Sequence, residues 1–175
     1  MSEDLRYPIG NFSFPESVTP DQLRTWIDEI EAHPAAFRQA VHGLSDTQLD
    51  TPYRPDGWTV RQVAHHLPDS HMNAYVRYKL ALTEDEPTIR PYDQGRWAEL
   101  RDANSGPIEP SLALLEQLHT RWVRLLRALE PTDFDRRFKH PEVGVLTLAK
   151  LTALYAWHGA HHTAHVTALA ERSGW

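Results

Sequence analysis

Residues 147–172 read TLAKLTALYAWHGAHHTAHVTALAER, and their apolar residues recur every three or four positions. This spacing is typical of one face of an α-helix. Thr147 has the hydroxyl of a helix N-cap and Ser173-Gly174 provides a stop, so the pattern predicts a helix that ends near Arg172. Four histidines stand in the middle of this helix, namely His158, His161, His162 and His165.

Two pairs of these histidines are four residues apart, His158 with His162 and His161 with His165. On a helix such residues differ by about 40° in direction and about 6 Å in rise, so two imidazoles can bind one metal ion at roughly 2.0–2.1 Å. At about 100° per residue, the apolar face of the helix has His162 at its middle and His158 beside it. The pair that points most directly inward is therefore His158 with His162.

The alternative is that these histidines are hydrogen-bonded members of a polar core layer. Burying several polar rings costs a few kcal/mol each unless they are paired or coordinated. A metal ion is the simplest common partner for two inward imidazoles within a cluster of four. The sequence therefore favours a metal site over a polar layer.

The rest of the chain predicts a four-helix bundle in one domain, residues 1–175, with an extended arm over about 1–18. Capping boxes open helices at Thr19, Ser45 and Thr59, and we expect a bend or break at Pro34. The predicted segments are a helix to Gly43, a loop over 50–57, a helix over 59–83, a modest helix over 94–102, a helix over 110–129 and a small hairpin near Glu142-Val-Gly144.

The composition excludes several classes of protein. The chain of 175 residues has no cysteine, so neither disulfides nor a thiolate metal site can form. Its 18 basic and 24 acidic residues give a net charge of −6 without a lysine or arginine cluster, which argues against a nucleic-acid partner. We find no apolar run long enough to span a membrane and no signal-peptide pattern, and we expect a cytoplasmic protein.

A third metal ligand should come from another helix, and residues 64–71, AHHLPDSH, offer three candidates. His65 points almost opposite the apolar line of its helix, which predicts a solvated side chain. His66 lies on the flank of that line and His71 nearer its centre, so periodicity leaves both open. The remaining histidines are scattered and read as ordinary surface or packing residues: His33, His42, His119 and His140.

Two segments resemble a known family. GWTVRQVAHHLPDSHMNAYVRYKLALTE over 57–84 and LYAWHGAHHTAHV over 154–166 are similar to the DinB-like metal-binding superfamily, closest to its YfiT-like branch. LRYPIG and TPYRPDGW also resemble that branch, so the match covers nearly the whole chain. The resemblance implies a four-helix bundle in up-down-down-up order, often a homodimer, and a metal-dependent hydrolase or bacillithiol S-transferase.

The resemblance also implies a ligand set. The family places one metal-ligating histidine immediately before a leucine, which here is His66, and two more on a His-x3-His pair, here His158 and His162. His165 stands where many members have glutamine, and whether it contacts the metal or supports a ligand stays open. His71 then becomes a supporting residue.

Three neutral ligands leave open positions on one divalent ion, for which zinc is the first expectation and nickel the second. Such an ion can activate water for hydrolysis or hold a small thiol as thiolate for attack on an electrophile. A non-catalytic metal-stabilised bundle or a metal sensor is the alternative.

Other residues have candidate roles around this site. Asp69, one turn after His66, is the candidate general base for hydrolysis, although the pattern favours a residue that orients a ligand imidazole. Trp58 and Trp157 adjoin the metal motifs and could line a pocket or belong to the core. Three arginines are candidates for holding the acidic groups of a thiol substrate: Arg54, Arg61 and Arg77.

Overall fold

The computed structural model of the chain describes residues 5–175. Its four long helices are α1 (Pro20–Val41), α3 (Val60–Thr83), α6 (Glu109–Arg127) and α7 (Leu148–Ser173). Shorter elements connect them: α2 (Asp46–Leu49), α4 (Gln94–Ala98), α5 (Arg101–Ser105), a 3-10 turn (Pro131–Asp135), β1 (Arg137–His140) and β2 (Gly144–Thr147). Residues 5–18 contain neither helix nor strand.

The helices begin where the sequence places their caps. The hydroxyls of Thr19, Ser45 and Thr59 each accept a hydrogen bond from a backbone N–H three residues on, and a glutamine side chain closes each capping box. Of the bend or break expected at Pro34, the break does not occur, because α1 continues through it. The single helix predicted over 94–102 is also wrong, since Leu100 has extended backbone angles that separate α4 from α5.

Contacts between helices give their directions, beginning with α1 and α6. Arg38, near the end of α1, pairs with Glu109 at the start of α6. Arg127, at the end of α6, pairs with Asp28 in the first half of α1. The two helices are therefore antiparallel.

Helix α3 runs parallel to α6. His65 and His71 of α3 contact Ser111 and His119 of α6, in the same order along both helices. The segment over residues 84–108, with α4 and α5, returns the chain along α3 to the start of α6, as two parallel neighbours require.

Helix α7 runs antiparallel to α3. His66 packs against His162. Tyr78, later in α3, hydrogen-bonds Thr152, which is earlier in α7. Helix α1 packs on α6 and α7, and α3 packs on the same two helices. Together with the α1–α6 and α3–α6 directions, this gives up-down-down-up order, which confirms the predicted fold.

A layer of histidines divides the core into two apolar halves. One half contains Ile30, Tyr78, Trp122 and Leu151, and the other contains Phe37, Leu67, Leu115 and Val166. Between them all four long helices contribute histidines that contact one another: His33, His66, His71, His119, His158 and His162.

The hairpin near Gly144 is confirmed. Strands β1 and β2 pair antiparallel, with His140 opposite Gly144, and Gly144 has a φ of 89° that favours glycine at the turn. The hairpin lies between α6 and α7 in the chain and places His140 near the histidine layer. In the part of the chain that the structure describes, no helix is long and apolar enough to span a membrane.

Candidate metal centre

Three histidines from two helices converge at one side of the histidine layer. The Nε2 atoms of His66 and His158 are 3.3 Å apart. The ring of His162 lies 4.8 Å from that of His66 and 4.6 Å from that of His158, measured between centroids. Each ring can present one nitrogen, and the three nitrogens lie within 4.8 Å of one another. The structure thus brings together the three residues that the sequence proposed as ligands.

The donor set fits a divalent ion. Two nitrogens bound at roughly 2.05 Å to one tetrahedral ion are about 3.3 Å apart, which is the separation of the two Nε2 atoms. The Nδ1 atom of His162 is buried without a hydrogen-bond partner among the described residues. A metal ion here would give the cluster the partner that buried polar atoms require.

Burial keeps these imidazoles neutral. It lowers the pKa of His66 to about 3. Burial first, and the neighbouring histidines second, place the pKa values of His158 and His162 well below the ordinary range. Neutral imidazoles have a free lone pair, so the rings can bind a metal without first losing a proton.

A chain of hydrogen bonds runs from His158 away from the cluster. The Nδ1 atom of His158 is 3.1 Å from Nε2 of His71, and Nδ1 of His71 is 2.7 Å from Nε2 of His119. The Nδ1 atom of His119 is 2.6 Å from the backbone oxygen of Ile30. The chain therefore links α7, α3, α6 and α1.

The backbone carbonyl of Ile30, at the end of this chain, fixes which nitrogen donates in each hydrogen bond. Because a carbonyl only accepts, Nδ1 of His119 must be the donor. In a neutral ring its Nε2 then accepts from Nδ1–H of His71, and Nε2 of His71 accepts from Nδ1–H of His158. Nε2 of His158 is left unprotonated and faces His66, as a metal ligand must be.

His71 thus hydrogen-bonds one of the three candidate ligands, which fits the expectation that it supports the site. It also forms a second group of three histidines with His33 and His119, whose ring nitrogens lie within 4.8 Å. In that group the nitrogens of His119 and His71 are already used in the chain to Ile30. The hydrogen-bonded arrangement accounts for these two rings without an ion.

Of the two readings of His33 and His119, surface or packing residue, the structure excludes the surface for both. Both are buried in the histidine layer, and His119 is a link of the chain to Ile30. The burial of His119 had a signal in the sequence, since His119 lies four residues after Leu115 on the apolar stripe of its helix, whereas its contacts with other helices had none. By contrast, His42 is exposed at the end of α1.

His65 is buried, and the prediction of a solvated side chain is wrong. Its Nδ1 lies 2.7 Å from the hydroxyl of Ser111, and its Nε2 lies 3.2 Å from the backbone oxygen of Gly106. The segment after α5 covers this side of α3. Periodicity placed His65 correctly opposite the main core line, but it could not reveal the covering segment.

His165 is held by the N-terminal arm and by the loop before α3. Its Nε2 hydrogen-bonds the backbone oxygen of Arg6 at 3.0 Å, and its ring stacks on Tyr53 with centroids 3.8 Å apart. The ring also lies 5.3 Å from that of His162. These contacts give His165 a position beside the three histidines.

Two cavities meet at His158. One of about 390 Å³ has Trp58, Trp157 and Arg54 in its walls, together with His162 and His165. The other, of about 540 Å³, lies on the side of α3 and the β-hairpin. Gln94 and His158 belong to the walls of both. The two tryptophans thus line a pocket, and the candidate centre is accessible from it.

Arg61 has a structural role and is not among the described residues that line these cavities. Its guanidinium donates to Asp50 at 2.6 Å, to Asp46 at 2.8 Å and to the backbone oxygen of Gly106 at 3.0 Å. The expectation that Arg61 lies at the pocket is therefore corrected. It anchors α2 and the α5–α6 connection to α3.

Asp69 is half-buried, and burial first and Asp102 second raise the pKa of its carboxyl to about 6. It is absent from the described walls of both cavities. Its carboxylate makes no hydrogen bond to His66 within the described part of the chain. The geometry therefore gives no support for Asp69 as the general base.

The chain matches known proteins over nearly its whole length. It is 55% identical over 172 residues to a Bacillus cereus protein named "Putative metal-dependent hydrolase", covering 98% of this chain and 99% of that one. A Bacillus mycoides protein with a similar name is 54% identical over 173 residues, covering 99% of each chain.

A solved structure is also similar over nearly the whole chain. YfiT from Bacillus subtilis, described as a probable metal-dependent hydrolase with an unusual four-helix bundle topology, superposes with a TM-score of 0.95 at 52% identity over 98% of each chain. Residues 29–166 match the model of the DinB superfamily. With the histidine cluster and the bundle order described above, these matches show that the chain belongs to the DinB superfamily.

Proposed function

We propose that this protein is a metal-dependent hydrolase that holds one divalent ion through His66, His158 and His162. The observation that carries the proposal is the convergence of three neutral imidazoles beside two cavities, with the unprotonated Nε2 of His158 directed at the cluster. Relatives at 52–55% identity bear the name of such an enzyme, which supports the same conclusion. Zinc is the first candidate ion, and nickel the second.

The chain's own residues prepare the site in three ways. The hydrogen-bond chain through His71 holds His158 in the tautomer that can bind a metal. Trp58 and Trp157 give the smaller cavity, whose other walls are largely polar, two aromatic surfaces beside His158 and His162. A divalent ion bound there would supply Lewis acidity toward water or a thiol.

Transfer of a small thiol to an electrophile is the second candidate. It is favoured by the position of Asp69, because the carboxylate that the sequence offered as a base for hydrolysis does not line the cavities. A thiol that is activated as thiolate requires no such base. The cavities that open on His158 argue against a closed structural metal site, so the metal-stabilised bundle and the sensor are less well supported.

The first test is elemental analysis of the purified chain beside His162→Ala, followed by assays with hydrolysable esters and amides and with small thiols plus an electrophile. We expect about one zinc or nickel per chain, lost in the variant. Metal-dependent hydrolysis without thiol supports the proposal, and strictly thiol-dependent turnover supports the second candidate. A wild-type chain that binds no ion after zinc is supplied would overturn both.

Two further predictions accompany this proposal. We expect a homodimer, which sedimentation of the purified chain would test. The cytoplasmic location inferred from the sequence also stays a prediction.

A further inference from the structure

Arg77 of α3 is a buried cation that forms no ion pair with any residue over 5–175. Its side chain is 9% exposed, and its Nε atom is buried with no hydrogen-bond partner among the described residues. Arg61, which is also buried, differs because it pairs with Asp46 and Asp50. A buried charge is costly unless a counter-charge or hydrogen bonds compensate it. The structure of the described chain offers Arg77 neither.

Arg77 lies in the wall of the 540 Å³ cavity that reaches His158. The hydroxyl of Tyr92, in the same wall, is also buried without a hydrogen-bond partner among the described residues. Ser70 contributes to this wall as well. The cavity therefore presents a guanidinium that has no acceptor in the described part of the protein, and beside it a tyrosine hydroxyl whose polar neighbour is Ser70.

The carboxylates in the same wall are Asp93 and Glu142, and neither forms an ion pair with Arg77 in the described structure. Asp93 caps α4, where its side chain accepts a hydrogen bond from the backbone N–H of Arg96 at 3.0 Å. Glu142 is exposed on the β-hairpin. The cavity is thus open to an acceptor that comes from solution.

An anion fits both donors. A guanidinium binds carboxylate and phosphoryl oxygens through charge-assisted hydrogen bonds, and a tyrosine hydroxyl can donate to the same group. We propose that Arg77 and Tyr92 form a subsite for an anionic group of the substrate, a carboxylate or a phosphoryl group. The subsite would make the substrate of the proposed function an anion. The inference rests on that function for the reaction, since His158 lies in the wall of the same cavity.

The test is the binding of inorganic phosphate and of succinate to the full chain, measured calorimetrically at fixed ionic strength. Wild type is compared with Arg77→Met, Arg77→Lys and Tyr92→Phe, and Arg90→Met is the matched control because it removes the same charge from an exposed residue of the adjoining loop. All are measured with zinc and again in a His162→Ala background, which separates anions at Arg77 from anions bound directly to the ion.

We expect both arginine variants to weaken binding by about tenfold or more, and Tyr92→Phe to weaken it by about threefold to tenfold. Arg90→Met should bind like wild type, and the His162→Ala background should keep the anion affinity. If Arg77→Met does not fold, the affinities of Arg77→Lys and Tyr92→Phe test the subsite. The first variant keeps the positive charge and the second keeps the aromatic ring.

Equal affinities in wild type and the Arg77 variants would overturn the subsite, and so would the absence of binding to wild type or binding that requires zinc. If the His162→Ala background binds the anions normally while wild type shows no metal, the subsite stands and the proposed function fails.

Discussion

The backbone oxygen of Ile30 accepts a hydrogen bond from Nδ1 of His119 at 2.6 Å, across the interface of α1 and α6. In a regular helix that oxygen would accept from the N–H of the residue four positions later. Here that residue is Pro34, which has no N–H. The proline inside α1 thus leaves an acceptor for a buried histidine, and this acceptor sets the tautomers as far as His158.

His119→Leu should weaken metal binding without removing a ligand. The variant removes Nε2 of His119, which accepts the hydrogen bond from Nδ1–H of His71. The His71 ring, which holds His158, then loses its orientation. We expect the affinity for zinc to fall about 10–100-fold, the usual effect of losing a partner of a metal ligand. Competition with a chelator of known affinity measures this. His42→Ala, at an exposed histidine of α1's end, is the control and should bind zinc like wild type.

Pro34→Ala should disturb the same chain of hydrogen bonds at its end, the backbone oxygen of Ile30. The new N–H competes with His119 for the oxygen of Ile30, and we expect a smaller loss of zinc affinity, in the same direction as for His119→Leu. Zinc affinities equal to wild type in both variants would show that the chain does not orient His158.

Loss of metal should be confined to the three converging histidines. We expect His66→Ala, His158→Ala and His162→Ala each to abolish stoichiometric zinc binding. His161→Ala is the matched control, because His161 is also a buried histidine of α7 but its ring stacks on Trp157 at 4.3 Å. Equilibrium dialysis followed by elemental analysis gives the stoichiometry. A full equivalent of zinc on His162→Ala, or its loss from His161→Ala, would contradict the proposed ligand set.

The sequence predicted most of the fold because caps and apolar periodicity act locally. It predicted the His158–His162 pair for the same reason, since two histidines four residues apart on one helix are a local pattern. It missed the roles of His33 and His119, because each is the only histidine on the inward face of its own helix. Their neighbours come from other helices, and spacing within one helix gives no signal for such contacts.

Gly159→Ala should destabilise the bundle although alanine favours helices. A Cβ atom at residue 159 would lie 2.6 Å from Cγ and 2.8 Å from Nε2 of the His33 ring, which packs against the backbone of α7. The overpacking should cost about 1–3 kcal/mol, more than the roughly 1 kcal/mol that alanine gains over glycine within a helix. Urea denaturation measures the difference.

The double variant His33→Ala with Gly159→Ala tests the cause. Removing the His33 ring frees the space, so Gly159→Ala should become neutral or stabilising in the His33→Ala background. An equal penalty in both backgrounds would place the cause of the destabilisation elsewhere.

The metal-free chain should lose stability as the pH falls below about 6.5. Burial first and His119 second lower the pKa of His33 to about 3, and burial lowers the pKa of His119 to about 4. Between these values and the ordinary 6.5 the unfolded chain binds protons that the folded chain does not. The free energy of unfolding therefore decreases with falling pH, by up to about 1.4 kcal/mol per pH unit for each such histidine.

Urea denaturation from pH 7 to pH 4.5 in the presence of a chelator measures this slope. In His33→Ala a buried neutral imidazole has been removed, so the slope should be smaller by up to about 1.4 kcal/mol per pH unit. This holds whatever the variant's stability at pH 7. His42→Ala is the control and should keep the wild-type slope, since this side chain is exposed at the end of α1 and is not part of the histidine layer. An unchanged slope in His33→Ala would mean that the His33 ring is protonated equally in the folded and unfolded chain, which its burial in the histidine layer does not allow.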